Sequence, residues 1–270
     1  MQLSGKSIVI TGASAGIGRE LARQLAAKGA KLTLAARSAE ALEATRAECL
    51  KAGSSAITVI ADVAKPEDCR QIVERTVAEF GSVDVLINNA GISIYSPFDK
   101  VTDLQVFQRI MEINYLGAVY CTHFALPNLK KTRGLLVAIS SLQGKTGFPD
   151  SSAYSASKHA MQGFFDSLRI ELLPTGVDVL IVCPGPVGTS IHTRRLGGDG
   201  KLSEESLQRT NDQGMPVDVC ARQIVRAIER RRRELVMTAA GKAGQWIKLI
   251  APGLIDRFVA DAVKRFYSER

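Results

Sequence analysis

Short apolar runs alternate with longer segments of helical period along most of this chain. The runs are Ile8–Ile10, Lys31–Ala35, Ala56–Ala61, Val83–Ile87, Gly134–Ser140, Val177–Val182 and Leu235–Thr238. Between them, apolar positions recur every three or four residues and predict helices over Arg19–Lys28, Ala39–Ala52, Pro66–Phe80, Leu104–Leu129, Ala153–Leu173 and Asp218–Arg232. Continuously apolar runs suit strands covered on both faces. Strand and helix in strict alternation therefore predict a doubly wound α/β domain of about seven parallel strands flanked by helices. No internal repeat or linker interrupts the pattern, so residues 1–240 read as one domain.

Two segments depart from it. Thr189–Met215 lacks apolar periodicity and contains Gly197-Gly198-Asp199-Gly200, which suggests a structureless insertion acting as a mobile lid. Residues 241–270 form a helical, amphipathic extension, with Trp246, Ile247, Leu249, Ile250, Leu254, Ile255, Phe258, Val259, Val263, Phe266 and Tyr267 among Lys242, Lys248, Arg257, Lys264 and Arg265.

Composition narrows the function classes. The chain is 46% hydrophobic and 23% charged, as globular proteins are. No apolar stretch approaches the roughly 18 residues of a spanning helix, and Met1–Lys6 has no signal-peptide layout. Five scattered cysteines without a CxxC pair, and three histidines without ligand spacing, point to reduced thiols, a cytoplasmic setting and no metal. A net charge of +8 fits an anionic ligand or surface, or merely a basic solvated exterior. Arg230–Arg233 ends a predicted helix, where cations are favoured, and reads as structural; no motif suggests nucleic acid.

The candidate chemistry sits at three places. Thr11-Gly12-Ala13-Ser14-Ala15-Gly16-Ile17-Gly18 follows the first strand and opens the first helix, a glycine turn suited to a pyrophosphate at a helix N-terminus. After the second strand stands Arg37-Ser38 where an NAD site usually carries a carboxylate; a guanidinium suits the 2′-phosphate of NADP(H). Tyr154 and Lys158, four residues apart on one helical face, form a plausible proton-transfer pair, because a nearby ammonium favours the phenolate.

With these motifs, and with Asp62-Val63, Asn88-Asn89-Ala90-Gly91, Asn114, Ser140-Ser141 and Pro184-Gly185 in order along residues 5–240, the chain resembles the short-chain dehydrogenase/reductase (SDR) family of Rossmann-fold enzymes, in its NADP(H)-preferring form. The resemblance implies that Tyr154 is the general acid/base, that Lys158 lowers its pKa and holds the nicotinamide ribose, and that Ser141 hydrogen-bonds the reacting oxygen. Asn114 would mark a helix kink whose freed carbonyl positions a water toward Lys158. Asp62 would take the adenine amino group and Val63 the ring face. Asn89, Ala90 and Gly91 would line the ribose, while Asn88 holds the central strands together. Pro184, Gly185, Val187 and Thr189 would cradle the nicotinamide. Thr11 reads as structural, bonding the turn backbone.

The expected activity is NADP(H)-dependent interconversion of a carbonyl and a secondary or primary alcohol. Ile94, Tyr95, Phe98, Leu142, Phe148 and Pro149 in the substrate loops favour an apolar small molecule, with Lys145 the one candidate cationic clamp. The alternatives are a 3-oxoacyl thioester reductase, whose acidic carrier Arg194-Arg195 could meet, and a non-catalytic NADP(H)-binding protein. The family implies a homodimer or homotetramer through the two long helices. The tail either packs on the domain or a second subunit, the favoured reading, or rests peripherally on a membrane surface.

Overall fold

The computed structural model describes residues 1–189, 191, 195–203 and 214–268, with side chains as far as residue 261. Seven strands lie in one parallel sheet in the order β3-β2-β1-β4-β5-β6-β7. They are β1 (Ser7–Thr11), β2 (Lys31–Ala36), β3 (Ala56–Ile60), β4 (Val85–Asn88), β5 (Leu135–Ile139), β6 (Asp178–Cys183) and β7 (Glu234–Val236). β1, β4 and β5 are buried along their whole length, which is why their sequences run apolar without alternation. On one face pack α1 (Gly16–Ala26), α2 (Ala39–Lys51) and α7 (Val217–Glu229). On the other pack α3 (Pro66–Phe80), α4 (Gln105–Met111), α5 (Gly117–Thr132) and α6 (Ser152–Glu171). The chain order reverses direction across the sheet between β1 and β4, and the carboxyl ends of these strands open the crevice where ligands bind in such folds.

The helix predicted over Leu104–Leu129 is a single helical run with a defect in it. α4 passes into a π-helical turn, Glu112–Leu116, before α5 continues. Sequence periodicity does not register one extra residue in a turn.

The arginine run is structural in part, as its place at a helix end suggested. Arg231 takes a left-handed backbone (φ 46°) past α7, and its guanidinium ties three elements together. It pairs with Asp178 at 2.5 Å and donates to the carbonyls of Arg133 and Gly134, each at 2.9 Å.

The predicted lid differs from expectation where it is described. Val187 and Met215 form a parallel bridge that closes its base. Residues 195–203 form a small hairpin, with Leu196 paired to Leu202 and also bridged to Ile94. Gly198 accepts from the Thr102 and Asp103 amides at 2.9 and 3.0 Å. Main-chain pairing of this kind needs no apolar period, so the sequence could not signal it. The remainder of the insertion, including Arg194, lies outside the described residues.

The extension forms α8 (Ala239–Ile250) and α9 (Pro252–Ser268). The Thr238 hydroxyl caps α8 by accepting from the Gly241 amide at 2.9 Å. Gly241 sits so close to Leu142 that a Cβ there would collide with it. Ile255 and Val259 are buried, but Trp246 (71% exposed), Leu249, Ile250, Leu254 and Phe258 are not. The domain therefore does not cover Trp246 and its neighbours, although Lys248 in the last turn of α8 donates to the Lys145 carbonyl at 2.7 Å. The side chains of Val263, Lys264, Arg265, Phe266 and Tyr267 lie outside the described residues.

Candidate functional site

The glycine turn is fastened to β4. The Thr11 hydroxyl accepts from the amides of Asn89 and Ala90 at 3.0 and 3.1 Å. The Asn89 carboxamide donates to the carbonyls of Thr11 and Gly12 at 2.9 and 3.2 Å. Each such bond contributes on the order of 1 kcal/mol. The approach leaves no room for side chains. A Cβ on Gly12, which has φ +66°, would stand 2.9 Å from the Ala90 Cα, and one on Gly18 would land on the Gly12 carbonyl. Thr11 thus has the structural part expected of it. Asn89, expected at the ribose, carries the strand-tying part assigned to Asn88, whose side chain instead donates to Thr122 of α5 at 3.1 Å.

The turn leaves α1 uncapped. Ala15 at its N-cap offers no side-chain acceptor, and no acid stands in the first turn. The free amides ahead of Gly16, Ile17 and Gly18, with Ser14 half-buried beside them, fit the pyrophosphate of a dinucleotide. Thr189, buried, closes over Gly16 from the far side.

A pocket of about 400 Å³ opens past the end of β2, lined by Arg37, Asp62, Ala64, Arg109, Glu112 and Gly200 among others. Ser38 is spent on capping α2, accepting from the Ala41 amide at 3.4 Å. Asp62 accepts from the Ala64 amide at 3.1 Å, a local turn that leaves its carboxylate on the pocket wall. Val63 does not face the pocket. Its side chain packs against Gly117 of α5, where a Cβ would come within 2.8 Å of it. Successive residues point oppositely here, so with Asp62 facing out Val63 faces in.

The reacting end lies past β5. Ser141 lies two residues past the strand, where its hydroxyl accepts from the Gln143 amide at 3.1 Å. Tyr154 and Lys158 rise from the first turns of α6 on one face, as their spacing predicted. The Lys158 ammonium is buried, donates to the Ile139 carbonyl at 2.9 Å, and lies 5.6 Å from the centre of the Tyr154 ring. Asn114 is wholly buried in the π turn and not solvent-facing. Its carboxamide accepts from the Ile92 amide at 2.8 Å and donates to the Ser157 hydroxyl at 2.9 Å. Gly91 lies beside both, 3.2 Å from the Asn114 Oδ1 and 3.7 Å from the Lys158 Nζ as measured from an added Cβ. Pro184 accepts from the Leu142 amide at 3.0 Å, which joins the β6 end to the Ser141 loop. Gly185 abuts Thr238, and Val187 is buried at the base of the insertion.

The electrostatics differ from expectation in one respect. Burial raises the Tyr154 phenol above its ordinary value, while Ser141 hydrogen bonding and the charge of Arg195 pull it down. Burial also pushes the Lys158 ammonium down, to about 8, which leaves it charged at neutral pH while it donates to the Ile139 carbonyl. Arg195 is the residue that sequence reasoning placed elsewhere, on a carrier-facing surface. It stands over Tyr95, 5.8 Å from the ring centre, within reach of Tyr154. Lys145, the other cation considered, is paired with Glu234 at 2.5 Å. Gln162, one turn beyond Lys158, was also missed. It donates to the Ser140 hydroxyl at 3.1 Å, and its i+4 spacing from Lys158 was the available signal.

Known proteins agree with this architecture. Residues 6–197 match the family described as short chain dehydrogenase. A Dehydrogenase/reductase SDR family protein 7-like from Dictyostelium discoideum is 35% identical over 270 residues, covering 96% of this chain and 84% of its own. The 11-beta-hydroxysteroid dehydrogenase 1A of Arabidopsis thaliana is 38% identical over 260 residues, covering 94% and 74%. The solved structure of levodione reductase superposes with a TM-score of 0.79 over 89% of this chain and 99% of its own, at 24% identity, a likeness of fold.

The buried lysine makes stability depend on pH. Its folded value, about 8, lies below the ordinary 10.5, so the unfolded chain binds more protons between those values and stability rises with pH across that window. Relative to Lys158→Met, the cofactor-free parent should gain about 2 kcal/mol on passing from pH 8 to 10.5 in urea titrations. A constant difference between the two proteins would contradict this placement of the ammonium.

Proposed function

The chain belongs to the short chain dehydrogenase family, an assignment resting on the match over residues 6–197, and from that premise we propose that it is an NADP(H)-dependent oxidoreductase interconverting a carbonyl and an alcohol on an apolar substrate. The observation that carries this reading is the convergence of Tyr154, Ser141 and Lys158 at the end of β5, on the same edge of the sheet as the uncapped α1.

When bound, the cofactor supplies or takes the hydride. The chain's own residues handle the proton. Tyr154 gives its phenol proton to the carbonyl oxygen in reduction and takes the hydroxyl proton in oxidation. Burial raises the phenol above its ordinary value, so Tyr154 is protonated at neutral pH and holds the proton that reduction consumes. Ser141 donates to the same substrate oxygen, where negative charge develops. Lys158, with Gly91 beside it, stands where a ribose hydroxyl would meet its ammonium. A non-catalytic role is disfavoured by the presence of the tyrosine and lysine in working positions.

Preference for NADP(H) is supported by Arg37, exposed at the end of β2, in the pocket with Arg109 and with no ion-pair partner among the described residues. An apolar substrate is supported by the apolar cluster of Ile94, Val106, Ile110 and Leu196 against which Tyr154 packs, and by the pairing of Lys145 with Glu234. The thioester reading loses support because Arg195 faces Tyr95 and not a carrier, while Arg194 lies outside the described residues.

We extend the proposal to a cytoplasmic protein that associates with itself along α4–α5 and α6, and whose tail rests on an anionic membrane surface. The tail's Trp246, Leu249, Ile250, Leu254 and Phe258 are exposed in company with Lys242, Lys248 and Arg257. No helix among the described residues is long and apolar enough to cross a membrane.

Three outcomes are expected. Tyr154→Phe should lower kcat at least ~1000-fold in an NADPH-consumption assay while leaving the NADPH Kd within ~3-fold; turnover above a few per cent would contradict the role of Tyr154. Fluorescence titration should show NADPH bound at least ~10-fold more tightly than NADH, with the order reversed in Arg37→Glu. Replacing Trp246, Leu249, Ile250 and Phe258 by serine should abolish co-sedimentation with vesicles containing anionic lipid; equal sedimentation of parent and variant would rule out the membrane contact.

A further inference from the structure

We propose that Gln162 is a positioning residue for Ser141: its buried carboxamide, reaching back along α6, fixes the 140–144 turn so that the Ser141 hydroxyl is aimed at the reacting oxygen. The proposal rests on the carbonyl–alcohol reading above for what Ser141 then does.

Gln162 lies about one turn past Lys158 on α6 and is 5% exposed. Helical side chains lean toward the N-terminus, so it reaches back toward the turn. Its nitrogen stands 3.1 Å from the Ser140 hydroxyl, 3.5 Å from the Ser141 carbonyl oxygen and 3.6 Å from the Cys183 sulfur at the end of β6. A carbonyl can only accept, so the nitrogen of the carboxamide, and not its oxygen, faces the turn. The short bond to Ser140 is passed on, since that hydroxyl donates to the Lys158 carbonyl at 3.4 Å. The turn is thereby tied to the helix that carries Tyr154 and Lys158. Gly144 permits the approach: a Cβ there would collide with the Gln162 nitrogen and stand 2.7 Å from the Ser140 hydroxyl oxygen.

Filling space at this point of α6 needs no carboxamide. Met161, Phe165 and Leu168, also buried past Lys158, are apolar. A buried polar side chain is costly unless it is bonded, and the bonds that Gln162 makes all bear on the Ser140–Ser141 segment and the strand beside it. The turn in its place directs Ser141. The Ser141 hydroxyl oxygen accepts from the Gln143 amide at 3.1 Å, which leaves its proton to be given outward. The Gln143 side chain accepts from Ser155, the residue after Tyr154, at 3.2 Å. Gln162 and Ser155 therefore hold the turn at its two ends. A donor aimed before charge develops is worth most to the reaction, and a shift of ~1 Å costs up to ~100-fold.

The test uses Gln162→Met in the full chain, a change that keeps length and bulk but removes the donor. The kcat for carbonyl reduction should fall ~10-fold or more with KM for NADPH within ~2-fold. In a Ser141→Ala background the same change should alter kcat by less than ~2-fold, because the hydroxyl it aims is gone. An undiminished kcat in the parent background, or an equal loss in both backgrounds, overturns the proposal. A second arm needs no substrate. Amide hydrogen exchange of Leu142, Gln143, Gly144 and Lys145, bonded to Pro184, Ser141 and Leu142, should quicken at least ~10-fold in Gln162→Met while β5 keeps its protection. Unchanged exchange in the turn overturns the proposal as well. If the parent reduces no carbonyl, the functional reading fails, and the exchange arm still decides whether Gln162 fixes the turn.

Discussion

The close fit of the first turn against the fourth strand is the constraint on which the site depends. Thr11 and Gly12 form four hydrogen bonds with Asn89 and Ala90, between the end of β1 and the start of the segment after β4. Those bonds draw Gly12 and Gly18 so near to Asn89 and Ala90 that no side chain fits. The same approach aims the uncapped amides of α1 into the crevice and sets Gly91 beside Asn114 and Lys158. A nucleotide platform and a proton-transfer group, far apart in sequence, thereby share one rigid frame of parallel strands.

Burial governs the chemistry of that frame. Enclosing the phenol raises its pKa and enclosing the ammonium lowers the lysine's, so burial disfavours the charged form of each. The site therefore does not work as an isolated ion pair. The hydrogen bond from Ser141 pulls the phenol the other way, against the effect of burial.

The sequence carried the fold almost entirely, because each strand is a continuous apolar run and each helix has a clean period. The helix Pro66–Phe80 was legible to the residue, with proline at its start and Gly81 in the left-handed conformation after its end. The site was legible where a motif binds function to spacing, as at Tyr154 and Lys158. It was not legible where geometry depends on folding. Val63 packs against Gly117, Asn89 ties the turn to the segment after β4 while Asn88 bonds α5, and Leu196 joins Ile94 through a main-chain bridge that leaves no trace in hydropathy. The tail was legible as helical and amphipathic, but neither as two helices nor in what it covers.

The π turn at Glu112–Leu116 has a consequence for how this chain tolerates insertion and deletion. A helix with one residue more than its regular bonding requires invites removal of that residue. Each residue of an α-helix turns the face by about 100°. Deleting one would regularise the bonding but swing Ala118, Cys121, Ala125 and Leu129, all buried against the sheet, out of register with their partners. It would also turn Asn114 away from Ile92 and Ser157. The irregular turn thus fixes a count: the distance from α4 to β5 is set to the single residue, although nothing in its hydrophobic pattern announces that it is.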